Sequence, residues 1–258
     1  MLAEQKMMEK KIDSLNVKRF DSRTAMGEAA ALEVADTLLS RLARQSTVNV
    51  VFAAAPSQNE FLASIASRKD IDWTRVNAFH MDEYVGLPAE AAQRFGNFLK
   101  DRLFSKLPFR SVNYLNGNAP DVDGECQRYA KLLLEHPIDI VCMGIGENCH
   151  IAFNDPHVAD FRDPAWVKVV DLDKACRQQQ VNDQCFDVLA DVPTHALTLT
   201  VPALMAADHV CCMVPGANKA DAVRHTLLDE ITPLYPSTVL RTHRNATLYI
   251  DKESASKL

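Results

Sequence analysis

Short apolar runs alternate with amphipathic stretches along most of this 258-residue chain, and no other feature constrains its fold as strongly. Strand-like runs occupy 48–53, 76–80, 138–143, 167–172, 195–201, 210–214 and 246–251. Between them, 24–44 carries Met26, Ala30, Val34, Ala35, Leu38 and Leu42 at helical spacing, and 57–67, 95–106, 123–135 and 219–228 also read as helices. Strands alternating with helices predict a mostly parallel sheet with helices on both faces, an α/β Rossmann-like arrangement. At 47% hydrophobic residues the chain can bury one large core or two small ones. Connections are short, and no linker or repeat interrupts them. The expectation is therefore one domain over 20–258, with 1–19 as a polar tail or a first helix.

Composition excludes several classes. A net charge of −6 with no basic run argues against nucleic acid as a partner. No apolar segment reaches the roughly 18–20 residues that span a bilayer, so no membrane role is expected. The first eleven residues are polar and charged, unlike a signal peptide. The seven cysteines are odd in number and form no CxxC pair, which fits a reducing, cytoplasmic setting. Most read as small buried hydrophobes. Cys149 stands apart because it lies in a candidate site loop.

That loop is Gly144-Ile145-Gly146-Glu147-Asn148-Cys149-His150-Ile151-Ala152-Phe153-Asn154-Asp155-Pro156, directly after the 138–143 run. Ligands of α/β sheets bind at the carboxyl ends of strands. Here such an end carries an imidazole, His150, a carboxylate, Asp155, and an amide, Asn148. A histidine held by a carboxylate is a common proton-transfer centre near neutral pH. Three other strand ends look similar. Phe79-His80-Met81-Asp82-Glu83-Tyr84 presents two carboxylates, of which Asp82 is either a general base or a turn residue. Ala53-Ala54-Ala55-Pro56-Ser57-Gln58-Asn59 has small residues before a helix, where an anion or a plain cap fits. Pro215-Gly216-Ala217-Asn218-Lys219 places a lysine in a first helical turn, against the helix dipole, which suggests an anionic partner.

Taken in order, these loops resemble the glucosamine-6-phosphate deaminase family. The resemblance rests on Met81-Asp82-Glu83-Tyr84-Val85-Gly86-Leu87-Pro88, on Leu115-Asn116-Gly117-Asn118-Ala119-Pro120-Asp121, on Gly146 through Pro156, and on Gly216 to Lys219. It covers nearly the whole chain, from about Phe20 to Asp251. The wider superfamily includes 6-phosphogluconolactonase, but the motifs look like the deaminase branch. The resemblance implies a cofactor-free aldose–ketose isomerisation with loss of ammonia, acting on a small sugar phosphate. By it, His150 opens the sugar ring, oriented by Asp155, with Asn148 as a further member of that catalytic centre, and Asp82 moves the C2 proton. Ser57, Gln58, Gly146, Arg177 and Lys219 form the expected substrate-binding set. No metal is implied, and a set of His80, Asp82, Glu83 and His150 lacks the close ligand spacing of strong metal sites. By analogy a homo-oligomer is open, though no residue pattern shows one.

The chain also departs from the family. Asn148 stands where an Asp is common, and Asp155 is one methylene shorter than the usual Glu. Cys149 replaces a Gly; if that position has φ > 0, the Cys is strained by about 1 kcal/mol. The Gly/Thr-rich phosphate loop has become Ala53-Ala54-Ala55-Pro56-Ser57, and the phosphate-binding Arg is replaced near Gln184, with Arg177 as a stand-in. Three readings follow: a deaminase of glucosamine or galactosamine 6-phosphate, a sugar-phosphate sensor with weakened catalysis, or a lactonase-like hydrolase. The segments 83–94 and 161–182 are lid candidates.

Overall fold

The structure, a computed structural model, describes residues 8–258. An eight-stranded sheet forms its centre, in the order β1-β2-β11-β10-β7-β3-β4-β6. Its strands are β1 Met8–Ile12, β2 Leu15–Phe20, β3 Val48–Phe52, β4 Val76–His80, β6 Ser111–Asn113, β7 Ile140–Met143, β10 His209–Val214 and β11 Ala246–Asp251. Every neighbouring pair is parallel except β1 with β2. The central strands β3, β4 and β7 are buried at every position, as parallel strands covered on both faces are.

Alternation along β3 sends Val50 and Phe52 to one face and Val51 to the other. On the first face lie α1 Arg23–Leu42 and α2 Asn59–Ala66, with α3 Phe95–Leu99 and the wide turn Lys100–Phe104. Helix α1 buries Ala30, Val34 and Leu38 there, and Ser22 caps it by accepting from the Ala25 N–H. The second face is covered by α4 Val122–Glu135, α6 Val201–Met205 and α7 Ala220–Leu228, through Tyr129, Leu133, Leu204, Val223 and Leu227. Among the described residues no helix is long and apolar enough to cross a membrane.

Two expectations fail. The stretch 1–19 is not a tail or a helix where it is described: Met8–Phe20 is a β-hairpin, and β2 pairs with β11 inside the sheet. Residues 1–7 lie outside the described residues. In β2 the buried Leu15, Val17 and Phe20 are interleaved with Asn16, Lys18 and Arg19, which hides the strand in a polar stretch. The runs at 167–172 and 195–201 are strands, β8 Val167–Asp171 and β9 His195–Leu199, but they do not join the parallel sheet. With β5 Asp82–Tyr84 they form a separate antiparallel sheet in the order β5-β9-β8.

From β3 the chain moves outward through β4 to β6, then returns to place β7 on the other side of β3. Strand order thus reverses between β3 and β7, the position at which open α/β sheets form a crevice at their carboxyl ends. Ser57, Asp82, His150 and Lys219 follow β3, β4, β7 and β10 respectively.

Candidate active site

Those four side chains line one cleft at this reversal, together with Gly146 and the aromatic rings of Phe95 and Phe153.

His150 is held from behind. Its Nδ1 lies 2.6 Å from Asn148 Oδ1 and 3.1 Å from Asp155 Oδ1, so Nδ1–H donates to this pair of acceptors. The other ring nitrogen, Nε2, is then the one available to a substrate. Asn148 is a two-way connector: its Oδ1 also accepts from the His150 backbone N–H, and its Nδ2 donates to Asp155 Oδ1 at 3.0 Å and to Asp173 Oδ2 at 3.2 Å. Asp155 is fully buried. Burial pushes its carboxyl up, but the hydrogen bond and charge of His150, with bonds from Asn148 and the Asp173 N–H, more than offset this and leave it below the usual range. The amide at Asn148 is thereby explained. A carboxylate there would face two others, whereas the amide satisfies both.

Gly146 gives the imidazole its seat. A Cβ at this position would lie 2.1–2.3 Å from three atoms of the His150 ring. Cys149 does adopt φ 69°, the left-handed conformation that glycine tolerates and other residues pay for. Its thiol is not beside the cleft: Sγ lies 3.9 Å from the Ala222 carbonyl, in the core under α7, and burial pushes it up to about 11.

Asp82 and Glu83 divide their roles. Asp82 is buried on the cleft wall, and desolvation followed by the neighbouring charge of Glu83 raises its carboxyl well above the usual range. Glu83 instead accepts from the N–H groups of Tyr84, Phe95 and Gly96, with Arg94 Nε 3.7 Å away, and so caps the start of α3. His80 is spent as well. Its Nδ1 bonds the Asp82 carbonyl at 2.9 Å and its Nε2 accepts from the Leu115 N–H at 2.9 Å. Burial holds this ring neutral, lowering it to about 4. The set of His80, Asp82, Glu83 and His150 therefore presents no common ligand face to a metal. The ligand atoms of His150, Asp155 and Cys176 do lie within 4.8 Å of one another. However, His150 uses its inner nitrogen on Asn148 and Asp155, and burial keeps the Cys176 thiol protonated.

Lys219 is 4% exposed and lines the cleft, with no ion-pair partner within 4.0 Å among the described residues. Burial lowers its pKa, and the charges of Asp183 and Glu147 oppose that. A solvated lysine is thus excluded; a buried ammonium without a partner calls for an anion or a polar ligand. Ser57 sits in the turn after β3, its Oγ accepting from Gln58 Nε2 at 3.2 Å.

Two expected residues are not on the wall. Gln58 lies behind it, donating to the Met213 carbonyl at 3.2 Å as a brace for Ser57. Arg177 is on α5 Lys174–Asn182, but its guanidinium is bound to the carbonyls of Leu189 and Val192 at 2.8 Å each. It is not a stand-in for a phosphate arginine. Residues that the sequence reading missed take this side: Gln179, Gln180 and Asp183 line the cleft, and Gln179 Oε1 accepts from the Glu147 N–H at 2.7 Å. Buried glutamines in so polar a helix were the available signal. Asp173, which caps α5 by accepting from the Cys176 N–H at 2.6 Å, links that helix to Asn148.

Residues 21–249 match the family model described as glucosamine-6-phosphate isomerases/6-phosphogluconolactonase. A glucosamine-6-phosphate deaminase of Bacillus cereus (strain G9842) is 39% identical over 189 residues, 73% of this chain and 70% of that one. One from Listeria welshimeri is 35% identical over 232 residues, 90% of this chain and 95% of the relative. Among solved structures, a monomeric glucosamine-6-phosphate deaminase superposes with a TM-score of 0.86 at 26% identity, covering 94% of this chain and 99% of that one. A 6-phosphogluconolactonase from Thermotoga maritima shares the fold, with a TM-score of 0.75 at 19% identity over 92% of this chain and 99% of the other. The chain belongs to the glucosamine-6-phosphate isomerase/6-phosphogluconolactonase family.

Proposed function

We propose that the chain is an amino-sugar-phosphate deaminase/isomerase, converting glucosamine 6-phosphate and water to fructose 6-phosphate and ammonia. The observation that carries this reading is one cleft holding an oriented imidazole, a buried carboxyl with a raised pKa, and a buried unpaired ammonium. His150 Nε2 takes the proton of the anomeric hydroxyl and returns one to the ring oxygen, which opens the pyranose. Asp155 and Asn148 hold the ring through Nδ1 and stabilise it when it is charged. Asp82 then removes the C2 proton and delivers it to C1, passing through an enolamine. Its raised pKa brings it towards the value that suits a base for a C–H proton near neutral pH. Water adds at C2, and ammonia leaves to give the ketone. Lys219 and the Ser57 hydroxyl face the distal end of the sugar, where the phosphate binds.

Ammonia and fructose 6-phosphate should appear in equal amounts when purified protein is given glucosamine 6-phosphate, while 6-phosphogluconolactone in a parallel reaction hydrolyses no faster than in buffer. Lactone hydrolysis without ammonia release would overturn the reading in favour of the lactonase branch. Binding of glucosamine 6-phosphate with no turnover would overturn it in favour of a sensor.

A further inference from the structure

The distal end of the cleft is poor in positive charge for a site that receives a phosphate. Among the described residues Lys219 is the only lysine or arginine on the cleft wall, and Asp183 is on that wall with it. Asp183 follows α5 directly, receives a hydrogen bond from Gln179 Nε2 at 3.3 Å, and also borders the adjoining lobe beside Gln180 and Gln184. At the rim, Glu147 accepts from Asn218 Nδ2 at 2.9 Å. The guanidinium in the lobe, Arg102, is directed to Asn59 Oδ1 at 2.9 Å and has Asp101 3.6 Å away. Ser57, Gln179 and Gln180, also on the cleft wall, are neutral and suit hydroxyls. A phosphate dianion entering beside Lys219 meets the repulsion of the Asp183 carboxylate, whose charge also acts on Lys219, in a partly desolvated space.

We propose that Asp183 is a specificity-determining residue: it lowers the cleft's affinity for a phosphate dianion and lets the same acid–base centre take an amino sugar that ends in a neutral hydroxyl. The inference rests on the deaminase reading. For an unphosphorylated 2-amino-2-deoxyhexose the step balances in the same way: the C2 proton moves to C1, water supplies the ketone oxygen, and the amine leaves as ammonia. Asp183 accepts hydrogen bonds from such a terminal hydroxyl, and Lys219 donates to it.

The test compares the wild-type protein with Asp183→Asn in three assays. Two measure ammonia release, from glucosamine and from glucosamine 6-phosphate. The third measures the binding of inorganic phosphate by calorimetry, which does not depend on turnover. Wild type is expected to release ammonia from both sugars. In Asp183→Asn, KM for the phosphate ester and Kd for phosphate should both fall about tenfold, an electrostatic change that salt weakens, with the effect in KM rather than kcat, while KM for glucosamine should rise because the charged acceptor of its terminal hydroxyl is lost. Unchanged phosphate affinity in the variant would overturn the role of Asp183. Turnover of the ester but not of glucosamine by wild type would overturn the wider substrate range. If neither sugar is turned over, the deaminase reading fails and the substrate range fails with it, while tighter phosphate binding by Asp183→Asn would still uphold the charge competition.

Discussion

Asp82 carries opposite demands. Its carboxyl is buried for chemistry, and burial penalises its charged form. Because its folded pKa is raised above the unfolded value of about 3.9, its contribution to stability is fully present below that value and is lost as pH rises through the folded pKa. Asp82→Asn has no charge to bury. It should therefore melt at an increasingly higher temperature than wild type as the pH is raised from 4 to 8, as followed by calorimetry; a constant difference across that range would mean the carboxyl is not desolvated. Gly146 is constrained sterically rather than electrically. Gly146→Ala should push the imidazole off Asn148 and Asp155, lowering kcat by about 10²-fold and costing roughly 1–3 kcal/mol; wild-type kcat in a folded variant would show that the ring has another seat. His150 and Asp155 could be paired from their place in one strand-end loop, whereas Asp82 was singled out by the family resemblance; the structure puts His150 against Asp155 and brings Asp82 to the same cleft. The Arg177 assignment failed because sequence order cannot show whether a guanidinium is already bound to carbonyls.

At the scale of elements, α5 connects the substrate wall to the acid–base centre. Asp173 caps it and accepts from Asn148, which accepts from His150. Asp173→Ala should cost about 1 kcal/mol through the lost cap. It should also raise KM, because Gln179 and Gln180 ride on the same helix. Steady-state kinetics beside a denaturation curve checks both, and a stability loss without a kinetic change would confine Asp173 to capping. The long amphipathic α1 and the mostly apolar runs of β3, β4, β7 and β10 were readable from the sequence pattern alone. Helix α5 was not, since its lining glutamines carry no apolar stripe. The three residues of β5 and of β6 are too short to show a period.

For the whole molecule, four strand ends of the parallel sheet meet where the strand order reverses, and Asp82 there also opens β5 of the antiparallel sheet. The hairpin at the far side of the larger sheet belongs to the fold and not to the cleft. Leu15, fully buried in β2, tests this separation. Leu15→Ala should cost about 2–5 kcal/mol while kcat and KM stay near wild type below the lowered melting temperature; a changed kcat would show coupling across the sheet. The parallel order was legible from the alternation of elements. The separate β5-β9-β8 sheet was not, because antiparallel strands that are mostly buried read like parallel ones.

The most direct test of the central claim is kcat for ammonia release from glucosamine 6-phosphate by Asp82→Asn, measured beside wild type. Asp82 as the base that moves the C2 proton predicts a fall of about 10³-fold with little change in KM. Turnover near the wild-type rate in that variant would contradict it.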